Sequence, residues 1–196
     1  MRIFRSQAGF TITELVAVIA VSGVLMTAAT VGFSAFFSKF NDLSKTMELQ
    51  RDAFNGLQKI KNGIKIGSGT AMKFQGIATA DSVKLEGYNL NMASKIILYP
   101  PKSDISHIND NIVIYKMGSY IRYTYQDGPF QPSAPLYLFP DYKRKNDIEV
   151  TKLSFSPANT GNSVKVVNVE MEARVKLRNK VYKYVSYKTR MALTMK

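Results

Sequence analysis

The chain has 196 residues, room for a membrane segment and one globular domain with a modest core. Its 27 Lys plus Arg against 14 Asp plus Glu give a formal charge of +13, which suits anionic partners, phospholipid or nucleic acid, without choosing between them. Cysteine is absent, which excludes a disulfide framework and a thiolate metal site, and the single histidine, His107, lies in the polar stretch 103–111, a solvated loop rather than a ligand set or a base.

Residues 1–9 are short, polar and basic through Arg2 and Arg5, and an apolar segment begins only after them. A secretory signal peptide carries its small-residue cleavage site after the hydrophobic region, whereas here Gly9 stands before it. Glu14 then sits about one helical turn inside the segment, and no further charge appears until Lys39. A lone charge in a membrane helix costs about 2.5–3.5 kcal/mol near the centre and less near an end, so Glu14 needs a partner cation. Residues 15–37 hold neither charge nor proline, and at about 1.5 Å per residue they make roughly 35 Å of helix, enough to span a hydrocarbon core. Small residues punctuate it, and Ala28 with Gly32 has the spacing that lets helices approach closely. Charge alone does not fix the topology, because Arg2 and Arg5 compete with Lys39, Lys45 and Arg51 beyond the other end.

Gly9 followed by Phe10, Thr11 and Glu14, with the long apolar helix behind them, resembles the processing site of type IV prepilins and of the pseudopilins of type II secretion. The resemblance implies that a prepilin peptidase cuts between Gly9 and Phe10 and methylates the new amine of Phe10. It also implies that Glu14 pairs with the amine of a neighbouring subunit as a filament assembles, so that two charges, each costly in an apolar setting, are neutralised together. It places the leader in the cytoplasm, the anchor in the inner membrane and the remainder outside. Many major pilins carry a kinking proline where Val31 stands here, which leans the expectation towards a minor pilin or pseudopilin. The acid at Glu14 argues against the extreme tip subunit of the K type, which usually lacks it. An uncleaved signal anchor is the alternative to processing.

Past residue 37 the pattern becomes periodic. Phe36, Phe40, Leu43, Met47, Phe54, Leu57, Ile60 and Ile64 recur mostly at steps of three and four, an amphipathic continuation of the helix to about Asn62 whose apolar stripe is core packing. Gln50 interrupts the stripe, Gly56 weakens it enough for a local bend, and Gly63, Gly67, Ser68 and Gly69 are stop signals. Residues 83–88, 95–99, 112–115 and 120–125 read as short strands of one antiparallel sheet. Four prolines make 128–142 an irregular excursion, and Lys143-Arg144-Lys145 a solubilising basic loop.

The last third is sharper. Residues 148–155 alternate, and Val167, Val169, Met171, Ala173, Val175 and Leu177 face one way at strict period two. Arg178-Asn179-Lys180 reads as a turn into a returning strand in which Val181, Lys183, Val185, Tyr187 and Thr189 alternate with Tyr182, Tyr184, Ser186, Lys188 and Arg190. The apolar side of this hairpin should cover the helix stripe. The expected fold class is therefore α+β, a long N-terminal helix packed on an antiparallel β-sheet head, which is the helix-on-sheet plan of pilin heads. The expected division is a leader at 1–9, a transmembrane and assembly helix at 10–37, an amphipathic second half of the helix at 38–66 and a β-rich head at 67–196. The layout also looks similar to the J-type minor pseudopilins and the W-type pilus subunits.

No phosphate-binding loop, nucleophile elbow, metal-ligand spacing or histidine relay is present, so neither an enzyme nor a cofactor or metal is expected. The expected partners are prepilin peptidase, other pilin or pseudopilin subunits and the inner membrane. The rival function is DNA capture by a competence pilus, for which Lys183, Lys188 and Arg190 with Tyr182 and Tyr184 mix phosphate-seeking cations and stacking aromatics. DNA is the less favoured partner, because such tyrosines usually pack sheets.

Overall fold

The computed structural model describes residues 11–66, 73–87, 93–101, 110–126, 131–144, 146–158 and 164–193. The chain divides into two compact units, Met1–Ser44 and Lys45–Lys196. Helix α1, Ile12–Asn62, supplies the described part of the first and the opening element of the second.

In the first unit no residue from Thr11 to Phe37 is buried by the chain itself. This is the one helix among the described residues long and apolar enough to cross a membrane. Its hydroxyls are satisfied locally, since Thr27 Oγ1 donates to the Gly23 carbonyl and Thr30 Oγ1 to the Met26 carbonyl, both at 2.8 Å. A polar side chain that bonds back to its own helix needs no water.

The second unit is a helix under two antiparallel sheets. One sheet has five strands in the order β3 (Ser82–Glu86), β4 (Lys95–Tyr99), β5 (Asn111–Met117), β6 (Tyr120–Gln126) and β7 (Leu136–Phe139). The other has three, in the order β10 (Tyr182–Ala192), β9 (Val166–Lys176) and β8 (Ile148–Pro157). A short ribbon of β1 (Ile64–Ile66) and β2 (Lys73–Gln75) follows the helix directly. The two large sheets are joined where Ala93, just ahead of β4, exchanges both backbone hydrogen bonds with Phe155 of β8, at 2.7 and 2.8 Å.

Alternation in β9 falls as expected. Val167, Val169, Met171, Ala173 and Val175 are all buried, and across the hairpin Val185 and Met191 fall in register with Ala173 and Val167. The turn is a single 3₁₀ turn at Arg178–Lys180, closed by Leu177 N–H donating to the Val181 carbonyl. In β8 the buried set switches parity from Ile148 and Val150 to Leu153 and Phe155, and a register shift between Val150 and Lys152 absorbs the change as a β-bulge.

Several expectations are corrected. The helix face that meets the sheets is Leu49, Ala53, Gly56, Leu57 and Ile60, whereas Phe36, Phe40, Leu43, Met47 and Phe54 are exposed. Only Leu57 and Ile60 of the expected helical stripe are buried on α1. Ile64 is also buried, but from strand β1, so residues 64–66 do not continue the helix to 66. Gly56 acts as a point of close approach, since a Cβ there would lie 3.2 Å from Cβ and Cγ of Phe139. The helix stops at Gly63, whose φ of 121° is glycine's own region. The excursion at 128–142 contains an edge strand, β7, whose flanking Pro135 and Pro140 an edge tolerates. Gly67, Ser68, Gly69, His107 and the 103–109 part of its loop lie outside the described residues.

Gly76 follows β2 and packs on the end of α1. A Cβ on it would strike the Gly63 amide and come within 2.6 Å of the Lys61 carbonyl, both backbone atoms. Gly76→Ala is therefore expected to lower the unfolding midpoint of the full chain in detergent, because backbone cannot step aside as a flexible side chain can. Leu49→Ala should cost about 2–5 kcal/mol in the same denaturant titration, and Phe54→Ala no more than about 0.5 kcal/mol. The opposite order would restore the aromatic stripe as the packed face.

Candidate functional site at the helix amino terminus and on the hairpin

Gly9 and Phe10 lie outside the described residues. The geometry begins at Thr11, and it makes sense of the four-residue run Thr11-Ile12-Thr13-Glu14. The first helical hydrogen bond runs from Leu15 N–H to the Thr11 carbonyl at 3.1 Å, so Thr11 is the N-cap. Its Oγ1 accepts from Glu14 N–H at 3.3 Å, and Glu14 Oε2 accepts from Thr11 N–H and from Thr11 Oγ1, each at 2.9 Å. The Thr13 hydroxyl lies 3.0 Å from Thr11 Oγ1. This is a reciprocal capping box, which satisfies otherwise orphaned amides at the start of a helix. The carboxylate also meets the positive end of the helix dipole.

Within a single chain, then, Glu14 has hydrogen-bond partners but no cation. Thr11 is the residue that the sequence reading passed over, and its signal was the threonine three places before the acid. The second oxygen, Oε1, takes no part in the box, so the carboxylate keeps capacity for a further donor.

The hairpin divides the other three candidate residues. Alternation along β10 puts Lys183 in the row of Val185, Tyr187 and Met191, and Lys188 and Arg190 in the opposite row with Tyr182 and Tyr184. The structure thus brings Lys188 and Arg190 together and leaves Lys183 on the other face. On that outer face cations alternate with carboxylates. Lys152 Nζ stands 2.8 Å from Glu170 Oε2, Lys188 Nζ 3.7 Å from Glu170 Oε1, and Arg174 binds Glu149 at 2.6 Å while its guanidinium lies 4.4 Å from the centre of the Tyr182 ring. The hydrogen bond from Lys152 holds the Glu170 carboxyl below the usual carboxylate range, with Lys188 adding to it. A phosphate polymer would meet those carboxylates along with the cations, so this face is electrostatically mixed.

On the inner side Tyr187 Oη donates to the Gln50 carbonyl at 3.1 Å, tying the last strand to α1. Among the described residues no group of acids and histidines is arranged to hold a metal.

Because the folded pKa of Glu170 is depressed, the stability it contributes is present at neutral pH and is lost as pH falls through its folded value, below about 4. The unfolding free energy of the chain should exceed that of Glu170→Gln at pH 7, and the gap should close by about pH 3. A gap of the same size at both pH values would remove the ion pair from the account.

Comparison with protein families finds the prokaryotic N-terminal methylation motif at residues 4–30. Comparison with curated proteins and with solved structures finds no match. The matched residues run from the leader through Gly9, Phe10 and Glu14 into the apolar half of α1. With that motif at its amino terminus and an α+β helix-and-sheet architecture behind it, the chain is a type IV pilin-like protein.

Proposed function

We propose that the chain is a minor pilin or pseudopilin, made as a precursor, cut between Gly9 and Phe10 by prepilin peptidase, methylated on the Phe10 amine and incorporated into a type IV pilus or a type II secretion pseudopilus, where it supports filament initiation or assembly. The observation that carries this reading is the methylation motif, which covers the junction, the acid and the start of the apolar helix together. In this reading residues 1–9 are a cytoplasmic leader, 10–37 the transmembrane and assembly helix, and the sheets form a head outside the inner membrane. Two features of the chain support it. Glu14 is the lone carboxylate of an otherwise uncharged span, and its Oε1 lies outside the capping box, available to a neighbour's amine. Valine instead of proline at position 31 suits a minor subunit.

Capture of DNA by the hairpin is not carried forward, because Lys183 stands apart from Lys188 and Arg190 and the outer face carries Glu149, Glu170 and Glu172.

Expressed beside prepilin peptidase, the protein should give a mass corresponding to a chain that starts at N-methylated Phe10. An intact Met1 terminus would instead make it an uncleaved signal-anchored protein. Glu14→Ala should still be processed yet be recovered from the membrane rather than from sheared filaments. Normal incorporation of that variant would show the pairing to be dispensable.

A further inference from the structure

Between α1 and the β7 edge of the head lies a groove of about 400 Å³, within the roughly 300–1,000 Å³ range of sites that take small ligands or a few side chains. Its floor is apolar, formed by Gly56 of α1 and by Leu138 and Phe139 of β7. The close approach at Gly56 is what keeps this floor low, since any larger side chain would rise into the groove. The rim is charged. Arg51 and Lys59 stand on the helix side and Lys143 on the 3₁₀ turn Tyr142–Arg144 that follows β7, with Asp52 and Asp141 among them.

The charges are not balanced. Arg51 Nε is 3.6 Å from Asp52, so that pair answers itself. Lys59 and Lys143 are exposed and make no ion pair among the described residues. Two unengaged ammonium groups therefore flank an apolar floor from opposite sides, and the sequence runs on from Lys143 into Arg144 and Lys145.

We infer that this groove is a docking site for an acidic polypeptide segment of a different protein, one that spaces carboxylates between small apolar side chains. Carboxylates at that spacing meet Lys59 and Lys143 while the intervening side chains seat on Leu138 and Phe139. Asp52 and Asp141 disfavour a phosphate polymer, whose charge is continuous and which offers nothing to the apolar floor. A second copy is disfavoured as occupant, because two chains of formal charge +13 repel one another. That the acidic segment belongs to another filament subunit rests on the proposed function; the preference for an acidic peptide does not.

The test uses the full chain, uncleaved, in detergent micelles, so it stands apart from processing and from Glu14. A fluorescein-labelled peptide of alternating Glu and Ala is titrated by fluorescence anisotropy beside its Gln–Ala counterpart and a single-stranded oligonucleotide. The acidic peptide should bind and weaken with added salt, and the Gln–Ala peptide should not bind. Lys59→Glu and Lys143→Glu should each weaken binding about fivefold or more, as charge reversal at an interface rim does. Lys183→Glu, on the hairpin, should leave it unchanged. Equal loss from Lys183→Glu would reduce the effect to overall charge and overturn the site. Absence of peptide binding would also overturn it, as would tighter oligonucleotide binding that the two groove variants abolish.

Discussion

The head depends on one narrow face of α1 being covered. Leu49, Ala53, Leu57 and Ile60 belong to the same continuous core as Ile96 and Leu98 of the five-stranded sheet and Val169 and Met171 of the three-stranded one. Neither sheet has a second layer of its own, so an apolar face on each would stand in water without the helix. Because Ala and Gly occupy two of the contact positions, the strands can come close, and Phe139 lies directly over Gly56. Close packing of this kind is intolerant of added volume, since interiors are already near the density of organic crystals.

The other end of the same helix solves a different problem. An acid inside an apolar span is tolerable only if its hydrogen-bonding capacity is met. Thr11 meets part of it, with Oε2 of Glu14 accepting from both the Thr11 amide and hydroxyl. The same arrangement secures the first turn of the helix, so one residue pair serves both local structure and the handling of a membrane-embedded charge.

Much of this was legible in the sequence, and the exceptions have physical causes. The strands of the last third were readable because period two repeats without interruption through β9 and fixes which side of β10 is buried. The stop of the helix was readable because Gly63 is the residue whose φ the termination needs. The buried face of α1 was misread because two apolar sets share that helix at different angles, one of large residues including Phe40, Met47 and Phe54, the other of Leu49, Ala53, Gly56, Leu57 and Ile60. A count of large side chains finds the first, while the sheets choose the second because small residues permit approach. β7 was hidden by prolines that forbid a central strand but not an edge. At the site, the acid was visible from its isolation, whereas its threonine partner was obscured by attention to charge rather than to the spacing of a cap. The basic cluster near Lys143 could not be linked to Lys59 by sequence, since only the fold brings residues so far apart to one groove.

The three-stranded sheet ends at β10, a strand of eleven residues. A long terminal strand invites another strand to add to it, and the usual defence is charge along its length. β10 carries Lys183 on one face and Lys188 and Arg190 on the other, so a second β10 approaching from either direction would bring cation towards cation. The same alternation that packs Val185 and Met191 inward thus guards the margin of the sheet, and growth of the sheet from head to head is opposed by the strand that would have to begin it.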